Sequence, residues 1–213
     1  MTNREISKFL SSTTVNATFT QKLKIKYRPF ICPFDELLDY AKGAKSVYDI
    51  GCGSGQFCAL VANYTDVKKI KGIEIRQDLI DNANIMTKQL KKSKDISFEV
   101  FDGITFPKDI ASYEVVYMID VYHHIPLDIR DEFMKKLYKQ MKRGATLVFK
   151  DIDADSKLVG FNKVHDYTFS REFGNEISHK NATKMLKKLG FSVKSTKREN
   201  SFVYPHYFTI VQK

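Results

Sequence analysis

The chain has 213 residues, enough for one well-cored domain. Hydrophobic residues make up 43%, no apolar run approaches the ~20 residues that span a bilayer, and "MTNREISKFLSSTTVN" lacks an apolar signal core. A membrane span and secretion are therefore not expected, and a cytoplasmic location is. The net charge of +10 would suit a nucleic-acid partner, but the lysines are scattered over helix faces and turns, as on an ordinary solvated surface. "KLKIKYR" (22–28) alternates basic and apolar residues, which predicts a strand or extended arm with one basic face. Apolar runs then alternate with helical patterns. "SVYDI" (46–50) is a predicted first strand, followed by a helix from Gly55. "KIKGIEI" (69–75) is a second strand, and "RQDLIDNANIMTKQL" a helix with Leu79, Ile80, Ala83, Met86 and Leu90 on one face. "ISFEVF" (96–101) and "YEVVYMI" (113–119) are the third and fourth strands. A helix between Pro126 and Gly144, a fifth strand "ATLVFK" (145–150), a helix capped by Ser178 and ended by Gly190, and two closing strands complete the chain.

This βαβ alternation predicts an α/β fold. The strands would build a parallel sheet with the helices packed against it. One domain spans 1–213. Residues 1–34 form an N-terminal arm, 43–150 a core, 152–176 an insert long enough to act as a lid, and 177–213 the closing helix and strands.

"YDIGCGSGQF" (48–57) places Gly51, Gly53 and Gly55 directly after a strand, where bare backbone can touch a ligand. A dinucleotide fingerprint would need glycine where Gln56 stands, and no G-K-[ST] of a P-loop is present. Asp49 disfavours phosphate there and suits an ammonium group. Glu74 follows Gly51 by 23 residues, near the offset at which an acid meets a ribose. Cys32, Cys52 and Cys58 have no C-x-x-C spacing and read as reduced, packed thiols.

With "GIEI", "FDGI", "EVVYMIDVYHHI" and "MKRGATLVF" following in order, the chain resembles the class I S-adenosylmethionine-dependent methyltransferases, most closely over 43–150. The flanks "KYRPFICPFDELL" and "HDYTFSRE" are similar to a bacterial small-molecule subgroup. The resemblance implies an α/β, Rossmann-like, doubly wound seven-stranded sheet, mostly parallel with the last strand antiparallel and with helices on both faces. It also implies S-adenosylmethionine as cofactor, with S-adenosylhomocysteine as product. It implies a cofactor site of Asp49, Gly51, Cys52, Gly53, Gly55, Glu74 on the ribose, Asp102 on the adenine amino group with Gly103, Ile75 and Ile104 about the ring, Ile119, and His124 as a wall. A small-molecule acceptor methylated at oxygen is expected, apolar or aromatic to suit Tyr27, Phe30, Phe161, Tyr167 and Phe169. An RNA or protein acceptor is the alternative.

Any acceptor must be aligned, and a hydroxyl also needs a base. Histidines cluster where one is needed: His123, His165 and His206 are the candidate bases. A metal site of Asp120, His123 and His124 would carry histidine where related sites carry glutamate, so no metal is assigned. Nothing in the pattern specifies an oligomeric state.

Overall fold

The computed structural model describes residues 2–13, 19–160 and 174–213. Its strands are β1 (Ser46–Ile50), β2 (Lys69–Glu74), β3 (Asp95–Val100), β4 (Val115–Ile119), β5 (Thr146–Ile152), β6 (Ser192–Ser201) and β7 (Tyr204–Gln212). They form one seven-stranded sheet in the order β3-β2-β1-β4-β5-β7-β6. β1, β2 and β3 pair in parallel, and β7 runs antiparallel to both β5 and β6, as the family resemblance implies. Contacts divide the chain into two compact units, residues 1–105 with 113–115, and residues 106–112 with 116–213.

In the first unit, every residue of β1 is buried, which is why its sequence is an apolar run and not an alternation. α4 (Gln56–Tyr64) follows it and is buried from Phe57 to Ala62. α5 (Gln77–Thr87) buries Ile80, Ala83 and Met86; the predicted face stops there, because Leu90 starts a separate 3-10 turn. Two glycines allow close approach. A Cβ on Gly55 would stand 2.7 Å from Cβ of Ala83, at a φ of +75°. A Cβ on Gly72 would stand 2.6 Å from the Cys52 sulfur and 2.8 Å from the Phe98 ring. Gly72 thus lets the loop after β1 lie against β2.

The N-terminal segment departs from expectation. "KLKIKYR" is no strand: α2 spans Phe19–Ile31, after α1 (Asn3–Ser12) and before α3 (Phe34–Asp39). Seven alternating residues fit two periods at once. Ile25 and Pro29, four apart, are buried, and the Ser7 hydroxyl donates to the Lys26 carbonyl at 2.9 Å, so contact with α1 favours the helical period. A capping box between Thr2 and Glu5 starts α1.

In the second unit, β4 and most of β5 are buried. A 3-10 turn spans Tyr122–His124, and α6 (Arg130–Gln140) begins four residues after Pro126, because residues 127–129 form a turn first. α7 (His179–Lys188) starts where expected, with the Ser178 hydroxyl accepting from the Asn181 amide. Among the described residues, no helix is long and apolar enough to cross a membrane.

Candidate active site

In the first unit, the chain leaves β1 through three left-handed glycines, Gly51, Gly53 and Gly55. The Gly51 and Cys52 amides donate to the Ile73 carbonyl at 2.8 and 3.0 Å, which ties the loop to β2. Glu74 closes the tie: its Oε2 accepts from the Gly53 amide at 3.1 Å, and its Oε1 from the amides of Ile75 and Arg76 at 2.8 and 3.2 Å. An ionised carboxylate has about four lone-pair directions, so acceptor capacity remains on the half-buried side chain.

Asp49 is almost fully buried, and its Oδ2 accepts from the Cys58 thiol at 3.4 Å. Burial pushes its carboxyl up to about 7; the thiol hydrogen bond opposes this, and the Glu74 charge adds to it. A buried acid held at neutral pH is primed for a cation, which would restore its charge. Burial also pushes the Cys52 and Cys58 thiols up, so they stay protonated, packed and free of disulfides.

Asp102 lies past β3, where its Oδ1 accepts from the amides of Ile104 and Thr105 at 2.7 and 2.6 Å. It therefore shapes the turn at Gly103, whatever else it binds. Ile75 and Ile104 are each more than half exposed. A Cβ on Gly53 or Gly103 would meet nothing within 4 Å, so the main chain there is open to a ligand. An open glycine backbone, a buried acid that titrates near neutrality and two exposed isoleucines fit a cofactor bearing an ammonium group, a ribose and an apolar ring.

In the second unit, β4 ends at the buried Ile119. Asp120 follows with φ +55°, strained for a non-glycine residue; its amide donates to the Lys150 carbonyl, and its Oδ1 accepts from the fully buried Lys150 ammonium. His123 Nδ1 stands 2.5 Å from Asp151 Oδ1, with the two side chains 2% and 0% exposed. Asp151 also accepts from the His123 and Ile152 amides, at 3.2 and 2.7 Å. The segment carrying His123 is held by Arg130, whose guanidinium donates to the carbonyls of Ile125 and Asn175 and lies over the Tyr122 ring at 4.5 Å. His124 is exposed beside His123, ring centroids 4.0 Å apart.

Contrary to the sequence reading, His206 does not converge on His123. Asp151 is the register partner of Tyr207, and Ile152 of His206. Side chains alternate along a strand, so His206 lies on the opposite face from Tyr207, Asp151 and His123. It lines a polar pocket of about 310 Å³ with Asp153, Ser156 and Arg198. His165 lies outside the described residues, as do Phe161, Tyr167 and Phe169. Asp120 and His123, the first two members of the conceivable metal set, bind separate partners, Lys150 and Asp151. Sequence reading missed Lys150, Arg130, Tyr207 and His179. The buried Tyr207 hydroxyl has no hydrogen-bond partner among the described residues, and the ring of His179, at the start of α7, lies 5.3 Å from the Tyr207 ring, centroid to centroid. Only Lys150, a lysine at the end of the apolar run Leu147–Phe149, carried a signal in the sequence; Arg130 stands among acidic residues and carried none.

A family model described as a methyltransferase domain matches residues 26–196. The ajmaline N-methyltransferase of Rauvolfia serpentina is 26% identical over 110 residues, 52% of this chain and 37% of that protein. The 27-O-demethylrifamycin SV methyltransferase of Amycolatopsis mediterranei is 32% identical over 78 residues, 37% of this chain and 28% of that protein. The matches thus span well under half the length of these curated relatives. A magnesium protoporphyrin IX methyltransferase from Synechocystis PCC 6803, solved with bound SAH, shares the fold at a TM-score of 0.70 and 17% identity, over 99% of this chain and 95% of its own. A methyltransferase from Aquifex aeolicus gives a TM-score of 0.66 at 14% identity, over 90% and 95% of the two chains. The chain belongs to the methyltransferase-domain family, and its fold is that of solved S-adenosylmethionine-dependent methyltransferases.

Proposed function

We propose that this methyltransferase acts on a hydroxyl group of an apolar or aromatic small molecule, with His123 as general base. The observation that carries the reading is the buried His123–Asp151 pair. With Nδ1–H donated to Asp151, the proton-accepting lone pair sits on Nε2, and the carboxylate stabilises the imidazolium formed when the acceptor hydroxyl gives up its proton. The sulfonium of the cofactor supplies an already activated methyl group. What the chain adds is alignment and removal of that proton; alignment contributes ~7–11 kcal/mol and a base about 10²–10⁴-fold. In the first unit, Glu74 holds the ribose diol, Asp49 faces the ammonium group, and Ile75 and Ile104 flank the adenine. Relatives named for ajmaline and for 27-O-demethylrifamycin SV support a small-molecule acceptor, one as an N-methyltransferase and the other named for an O-demethylated compound. The buried base favours oxygen, because an unprotonated amine needs no base to attack.

His123→Ala should lower turnover by about 10²–10⁴-fold and abolish the fall in rate on acidification, with cofactor affinity within a few fold. Unchanged turnover and pH profile would remove His123 from the reaction and favour an amine or an already ionised acceptor.

A further inference from the structure

α2 buries one face and leaves an apolar stripe on the other. Ile25 and Pro29 are buried, whereas Leu23, Tyr27 and Phe30 are 47%, 51% and 41% exposed. At about 100° per residue these three positions fall within ~60° of one another. Cationic positions bracket the stripe by register: Lys24 and Arg28 follow on one side, Lys22 and Lys26 on the other. From Phe19 to Ile31 there is no acidic residue. The exposed Lys26 ammonium lies 5.8 Å from the Tyr27 ring, whose centroid is 6.5 Å from that of Phe30.

We propose that α2 docks on the surface of a bilayer that carries anionic lipids. An apolar stripe flanked on both sides by lysine and arginine is the pattern of a helix lying in the interface plane: leucine and aromatic rings enter the acyl boundary while the flanking cations reach the headgroups. The net charge of +10 adds long-range attraction to an anionic surface. A nucleic acid would satisfy the cations but offers nothing to Leu23. This goes beyond the proposed methyl transfer, although an apolar acceptor dissolved in lipid would lie within reach of such a helix.

Co-sedimentation of the full chain with phosphatidylcholine vesicles, with and without about 30% phosphatidylglycerol, tests it. Binding to the anionic vesicles alone is expected, weakening as salt rises. Lys26→Ala should weaken it about fivefold, the effect of one cation near such a surface. Leu23→Glu and Tyr27→Glu, both at exposed positions, should each weaken it at least about tenfold with an unchanged melting temperature. The proposal is overturned if anionic vesicles do not sediment the protein. Equal binding by wild type and Tyr27→Glu would also overturn it, by assigning the attraction to charge alone. So would salt-sensitive retention on RNA without vesicle binding, or burial of the stripe by a soluble apolar acceptor. Methyl transfer to a soluble acceptor without vesicles is measured separately, so failure of the docking reading leaves the catalytic one standing, and the reverse.

Discussion

Asp49 sets a pH dependence of both folding and cofactor binding. Burial pushes its carboxyl from 3.8 to about 7 in the folded protein. The folded state therefore binds the proton more tightly than the unfolded chain does. The stability this contributes is complete below about pH 4 and is lost as pH rises to about 7. At 1.36 kcal/mol for each tenfold, the span is worth about 4 kcal/mol, an order of magnitude for a fully buried group. Without ligand, Asp49→Asn should remove this component, so that the variant gains on wild type as pH rises from about 4 to 7. A cationic ligand reverses the sense, because it binds the ionised carboxylate. With a midpoint near 7, the ionised fraction rises from about one in eleven at pH 6 to ten in eleven at pH 8. S-adenosylhomocysteine affinity should thus rise about tenfold over that span in wild type and stay flat in Asp49→Asn. The ligand's own α-amino group also titrates on the alkaline side, so the ratio of the two proteins' affinities is the quantity to follow by calorimetry. A ratio constant from pH 6 to 8 would refute the pairing of Asp49 with the ammonium group.

Glu74→Ala should weaken S-adenosylhomocysteine binding by ~1.5–3 kcal/mol, since it removes a charged acceptor and unties the Gly53 amide; an unchanged calorimetric affinity would take Glu74 off the ribose. Gly72→Ala should destabilise the protein by ~1–3 kcal/mol in urea unfolding, as Cys52 and Phe98 must move; an unaltered midpoint would mean the contact relaxes freely. Asp151→Asn should lower turnover without the full effect of His123→Ala and alter the pH–rate profile, whereas a purely structural role would change the melting temperature and leave the profile in place.

The sheet was legible because its central strands, β4 above all, are short apolar runs bounded by turn residues, and β1 and Ser178 fall where the pattern puts them. The glycine loop was legible because its chemistry is local. α2 was not, because its alternation also satisfies a helix and only Ile25 packing against the interior decides between them. Nor was the separation of His123 from His206, which depends on the antiparallel register that puts Tyr207, and not His206, opposite Asp151. The Asp120–Lys150 pair escaped for the same reason: neither residue declares in sequence that it is buried against the other.

The central claim is transfer of a methyl group from S-adenosylmethionine to oxygen on a small molecule. Its most direct measurement is incubation with methyl-deuterated S-adenosylmethionine and a small-molecule extract, and in parallel with RNA and protein fractions, with mass spectrometry of the products. The account predicts the deuterated methyl as an ether or ester on a small molecule, formed by wild type and about 10²–10⁴-fold more slowly by His123→Ala. Label recovered on nitrogen, or in RNA or protein and not in the small-molecule fraction, would contradict it.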